Sequence, residues 1–120
     1  GGLRSMADPQ AYGDPDHYSR RGVGSKAEVH QNAGIPNHAF YLAVEGGVNR
    51  TSGLSVHGVG AENREQIEKA FYRGFVNYLT SNAKFASARR ATIQAATELY
   101  GAGSPAERAI TEAWTAVGVF

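Results

Sequence analysis

The chain has 120 residues, with twelve Lys and Arg against eleven Asp and Glu and a formal net charge of +1. That length suits one domain burying about 65 % of the surface its unfolded form exposes, and so even a balance excludes the strong basic field of a nucleic-acid or anionic-lipid binder. There is no cysteine, which rules out disulfides and thiolate metal sites and leaves the redox compartment open.

No run approaches the ~18 consecutive apolar residues of a membrane span, so no membrane partner is expected. The chain opens at Gly1-Gly2 without methionine and without the charged and apolar regions of a signal peptide. A cut from something longer, or a processed product, is the expectation. Residues 1–27 are broken by Asp8-Pro9, by Gly13-Asp14-Pro15-Asp16 and by Gly22 and Gly24. Leu3, Met6, Tyr12 and Tyr18 are enough apolar anchors to hold such a segment on a core, so an irregular packed lobe is expected here rather than a disordered arm. Arg4 by itself reads as a solvated side chain.

Residues 28–46 carry the hub. Glu28 precedes His30 by two positions, and in an extended segment such residues project to the same side. A carboxylate there would fix the imidazole's tautomer and favour its charged form. Pro36 suits the first turn of a helix. Ile35, Ala39, Phe40, Leu42, Ala43 and Val44 follow so densely that apolar groups cover most of the circumference, as in a helix surrounded by protein. Gly46-Gly47 should end it.

Residues 46–60 hold five glycines and alternate Leu54, Val56 and Gly58 against Ser55 and His57, which predicts a loop with a short extended piece and a surface His57. Asn49-Arg50-Thr51 fits the glycosylation tripeptide, but it is given no function. A helix is predicted over about 61–79, with Ile67, Phe71, Tyr78 and either Gly74 or Phe75 inward and Glu62, Glu65, Glu68 and Lys69 outward; a close helix crossing would account for Gly74. A third helix should run over about 83–100, with Phe85, Ala88, Thr92, Ala95, Ala96 and Leu99 inward and Gly101 as its C-terminal cap. The fourth is announced by Ser104-Pro105-Ala106-Glu107, an N-cap serine, a proline at the first helical position and a glutamate placed for a capping box. Its buried face should be Ile110, Ala113, Trp114 and Val117. Arg89-Arg90 reads as a solvated face. No internal repeat or parallel-sheet pattern is visible.

Several of these stretches together resemble one known family. Leu3-Arg4-Ser5-Met6, Tyr12-Gly13-Asp14-Pro15-Asp16-His17-Tyr18, Val29-His30-Gln31-Asn32-Ala33-Gly34-Ile35-Pro36-Asn37, Phe71-Tyr72-Arg73, Tyr78-Leu79-Thr80, Ala91-Thr92-Ile93-Gln94-Ala95-Ala96, Leu99-Tyr100-Gly101 and Ala116-Val117-Gly118-Val119 are similar, in order and spacing, to the C-terminal domain of the thermolysin family of secreted zinc metallopeptidases. The resemblance implies an all-α domain over 1–120: an irregular lobe at 1–27, a site loop and buried central helix at 28–46, and three amphipathic packing helices within 61–120. It further implies that this domain walls a cleft opposite a separate zinc-bearing N-terminal domain that this chain does not contain, and that the parent protein is secreted.

The family's zinc ligands lie on an H-E-x-x-H helix and a later glutamate. None of His17, His30, His38 and His57 stands in such a motif, so no metal or other cofactor is expected in this chain, and by itself it is expected to be inactive. Carried over by resemblance, His30 donates to the oxyanion that forms at the scissile carbonyl, Arg4 binds the carbonyl of the substrate residue after the scissile bond, and Leu3 walls an apolar pocket for that residue's side chain. Many family members place an aspartate five residues before the histidine, where this chain has Ser25 beside Gly24 in a loop one residue shorter; others place it two residues before, where this chain has Glu28. Glu28 is therefore expected to orient His30. The partners implied are the zinc-bearing domain and a peptide or protein substrate, with self-association of the isolated chain through the exposed domain face as a further expectation. The alternative is a non-catalytic helical binding or assembly module on the same scaffold.

Overall fold

The computed structural model describes residues 17–18, 34–78 and 84–120. The first helix, α1, spans Gly34–Glu45 and buries Ile35, His38, Ala39, Leu42, Ala43 and Val44, with Phe40 and Tyr41 packed partly against the same core. Its surface is covered nearly all round, as the density of apolar residues requires. It stops at Gly46, whose φ of 76° favours glycine and whose N–H returns to Leu42 O at 2.8 Å. The next two end carbonyls, orphaned by the helix, are taken by the returning chain: Val59 N–H donates to Ala43 O at 3.0 Å and Gly60 N–H to Val44 O at 2.7 Å.

Between these points lies a short antiparallel ladder, β1 (Gly47–Val48) with β2 (Ser55–Val56), paired Gly47 to Val56 and Val48 to Ser55. The tripeptide at 49–51 has a structural role. Asn49 is fully buried and its Oδ1 accepts the N–H groups of Thr51 at 3.0 Å and Ser52 at 2.8 Å, which closes the turn between the strands.

After a single 3-10 turn at Ala61–Asn63, α2 runs over Arg64–Tyr78. It packs chiefly against α3 (Phe85–Tyr100), and α1 chiefly against α4 (Pro105–Ala116). The inner face of α2 is Ile67, Ala70, Phe71 and Gly74, so the choice between Gly74 and Phe75 falls to the glycine. A Cβ on Gly74 would sit 2.9 Å from the carbonyl oxygen of Ala91, and α3 crosses at that bare backbone. Tyr78, expected inward, is exposed instead. Its hydroxyl reaches Glu98 at 2.6 and 2.7 Å, a polar end that favours the surface.

On α3 the buried residues are Ala88, Ala91, Thr92, Ala95 and Ala96. Leu99 is 39 % exposed, contrary to expectation, and Tyr100 packs against the core in that turn. Gly101 caps the helix, its N–H donating to Thr97 O at 2.9 Å. Helix α4 begins as its residues foretell, with Ser104 Oγ accepting Glu107 N–H at 3.2 Å and Pro105 in the first turn. The capping box is only half made: Ser104 N–H donates to Gly101 O, and Glu107 Oε2 lies at hydrogen-bond distance from Thr111 Oγ1.

Aromatic rings join the layers. Phe71 of α2 meets Phe40 of α1 edge-on at 5.3 Å and stacks on Trp114 of α4 at 6.1 Å. Trp114 is fully buried and its indole N–H donates to Thr92 Oγ1 at 2.9 Å, which in turn donates to Ala88 O at 2.8 Å. The single polar residue on the alanine stripe thus satisfies the indole.

Candidate functional site

Leu3, Arg4, Glu28 and His30 lie outside the described residues, and so does the expected packing of the lobe at 1–16 and 19–27. The described chain bears on the site through its two attachment points. Downstream, α1 begins at Gly34, four residues after His30, and Ile35 is fully buried. Upstream, Tyr18 N–H donates to Val117 O at 2.7 Å. The Tyr18 ring meets Phe85, the first residue of α3, edge-on at 5.8 Å. Tyr18 and Gly34, the described residues on either side of that stretch in the sequence, both belong to segments in contact with the helical bundle.

Polar clusters elsewhere read as structural ties. Arg73 Nε donates to Glu98 Oε1 at 3.1 Å, completing an Arg–Glu–Tyr link between α2 and α3 with Tyr78. The hydrogen bond from Tyr78, and next that from Arg73, lower the Glu98 pKa; the same contact with Glu98 raises the Tyr78 pKa. His57, on the segment after β2, donates its backbone N–H to Glu112 Oε1 at 2.8 Å, with Nδ1 3.3 Å from the same oxygen. The His57 side chain is 89 % exposed, which agrees with a surface histidine. Among the described residues no three His, Cys, Asp or Glu side chains come together to hold a metal ion, and no helix is long and apolar enough to cross a membrane.

Arg89 departs from the sequence expectation. It is no solvated residue: its Nη1 lies 3.3 Å from Thr111 O, 3.0 Å from Thr115 Oγ1 and 2.9 Å from Val119 O. Burial lowers its pKa. Arg90 does face solvent, near Ser87 at 3.4 Å. The stripe itself carried a signal: Arg89 stands one helical turn after the inward Phe85, on the same face, and Arg90 does not.

The family model described as thermolysin metallopeptidase, alpha-helical domain, matches residues 1–119. Over 98 % of this chain, the sequence is 48 % identical to a thermostable neutral protease of Geobacillus stearothermophilus and to a thermolysin of Alicyclobacillus acidocaldarius, and 43 % identical to a bacillolysin of Bacillus cereus. The chain spans about a fifth of the length of these relatives, 21 % for the first. With a match of that extent and helices where the motifs place them, the chain belongs to the thermolysin metallopeptidase family, as its alpha-helical domain.

Proposed function

We propose that this chain is the substrate-binding and oxyanion-stabilising wall of a secreted zinc metalloendopeptidase. The observation that carries the reading is the reach of the family match, which includes Leu3, Arg4, Glu28 and His30 within one continuous span of residues 1–119.

In this reading the side chains of the chain bind, orient and stabilise. Arg4, always charged and donating in a planar fork, grips the carbonyl of the residue after the scissile bond. Leu3 lines the apolar pocket for that residue's side chain. His30 donates to the carbonyl oxygen as it becomes negative, a contact stronger in the transition state than in the ground state. Glu28 accepts from the other ring nitrogen and so sets which nitrogen faces the substrate. In this reading the zinc ion sits on a separate domain of the parent protein. Zinc there would supply Lewis-acid polarisation of the carbonyl and an activated water.

The test is His30→Ala in the full-length parent. Turnover should fall by about 10² to 10³, with a smaller change in KM. Unchanged turnover would refute the oxyanion role. A parent gene encoding no zinc-binding domain would favour a helical binding module instead.

A further inference from the structure

One cation on α4 is left without its ordinary partner. Arg108 and Glu112 stand four residues apart on that helix, close enough to pair across one turn. Glu112 is committed to the loop instead: its Oε1 accepts the backbone N–H of His57 at 2.8 Å, with His57 Nδ1 at 3.3 Å, and a backbone donor is a group that must be satisfied. Among the described residues the Arg108 guanidinium has neither an ion pair nor a hydrogen bond, and Glu112 Oε2 accepts nothing. Arg108 is also the fourth residue of its helix, at the end where the dipole disfavours a cation. Both side chains line a cavity of about 480 Å³ together with His57, Gly58, Val59 and Pro105, a volume within the roughly 300–1,000 Å³ of small-molecule sites. Its walls are fixed. Gly58 lies so close to the end of α1 that a Cβ there would collide with the backbone of Val44 and Gly46, and the N–H groups of Val59 and Gly60 are held by Ala43 O and Val44 O. On the opposite wall, Arg108 N–H donates to Ser104 O at 3.0 Å, at the capped start of α4.

We propose that this cavity binds a carboxylate that carries an N–H or ammonium group on its α-carbon, the chemistry shared by a free amino acid and by the C-terminal residue of a peptide. The carboxylate takes the fork of Arg108 in two parallel charge-assisted hydrogen bonds, and the nitrogen donates to Glu112 Oε2. Side chains one turn apart, with Cβ atoms roughly 5–6 Å from each other, match two ligand groups borne on neighbouring atoms. A phosphate fits less well, because it brings more negative charge towards Glu112 and no donor for Oε2. Such a site uses none of Leu3, Arg4, Glu28 and His30 and is independent of the peptidase reading.

The test titrates glycine, N-acetylglycylglycine, propionate, glycinamide and inorganic phosphate into the full-length parent while NMR follows the backbone amides of His57 and Gly58 and the Arg108 Nε–H. Glycine or N-acetylglycylglycine should shift these resonances saturably, and whichever saturates at the lower concentration names the source. Propionate, which lacks the nitrogen, and glycinamide, which lacks the carboxylate, should each need about tenfold more, since either loses a hydrogen bond to a charged group. Arg108→Met should weaken the preferred ligand by about tenfold, and Arg108→Lys by less, because a lysine keeps the charge without the fork. Glu112→Gln, which keeps an oxygen for the His57 N–H, should remove the preference over propionate. No saturable shift, equal saturation by propionate or phosphate, or wild-type binding in Arg108→Met would overturn the site. The selectivity of the unaltered protein decides the matter even where a variant fails to fold.

Discussion

Replacing Thr92 with valine tests how the core is held together. The side chain keeps its shape and β-branching but loses the hydroxyl that accepts the Trp114 N–H at 2.9 Å. Both residues are fully buried, so water cannot replace the lost partner, and an unsatisfied buried donor costs about 1–3 kcal/mol. The carbonyl of Ala88 loses the hydroxyl's 2.8 Å bond, a small change for an oxygen that sits within a helix and keeps a second lone pair in use. The added methyl recovers a few tenths of a kcal/mol in transfer energy. The net expectation is a loss of about 2 kcal/mol, which for a chain of this length corresponds to a fall in Tm of roughly 8 °C. Trp114 is the only tryptophan, so its fluorescence follows urea unfolding of the chain directly. The midpoint should fall with the m-value unchanged. Thr92→Ser, which keeps the hydroxyl, should cost less than Thr92→Val. The reverse order, or a loss under about 0.5 kcal/mol for Thr92→Val, would refute the reasoning.

Two further outcomes follow from the packing of α2 on α3. Gly74→Ala gains up to about 1 kcal/mol in helix propensity but drives a methyl against the Ala91 carbonyl; overpacking typically costs about 1–3 kcal/mol, so the midpoint of unfolding should drop, and a rise would show that the helices part freely. The lowered Glu98 pKa makes a stabilising contribution that is present above the ordinary carboxylate range and lost as pH falls through the folded-state value. The raised Tyr78 pKa contributes below the ordinary phenol range and is lost as pH rises through its folded value. Glu98→Gln should therefore flatten the acid limb of the stability profile, measured by thermal unfolding at stepped pH; an unaltered limb would remove Glu98 as its source. Exposure of the cluster makes the effect salt-sensitive.

Local features were readable because their causes are local. Ser104-Pro105, Gly101 and Gly46 end or begin helices through bonds spanning a few residues, and the density of apolar groups in α1 needs no partner to reveal a buried helix. The family motifs likewise identified the domain without any packing information. Periodicity also found the inward stripes, but only to within about one residue of width. It left Gly74 and Phe75 equivalent and placed Tyr78 and Leu99 inside, because the direction of a stripe depends on where the neighbouring helix lies. The remaining features join distant positions: Trp114 with Thr92, Tyr78 with Glu98, His57 with Glu112, and Arg89 with the turn that carries Tyr18. Residue types announce such groups only as polar side chains in helices and loops. Packing chose their partners, because an arginine or threonine must find a hydrogen bond wherever the crossing of two helices shuts out water.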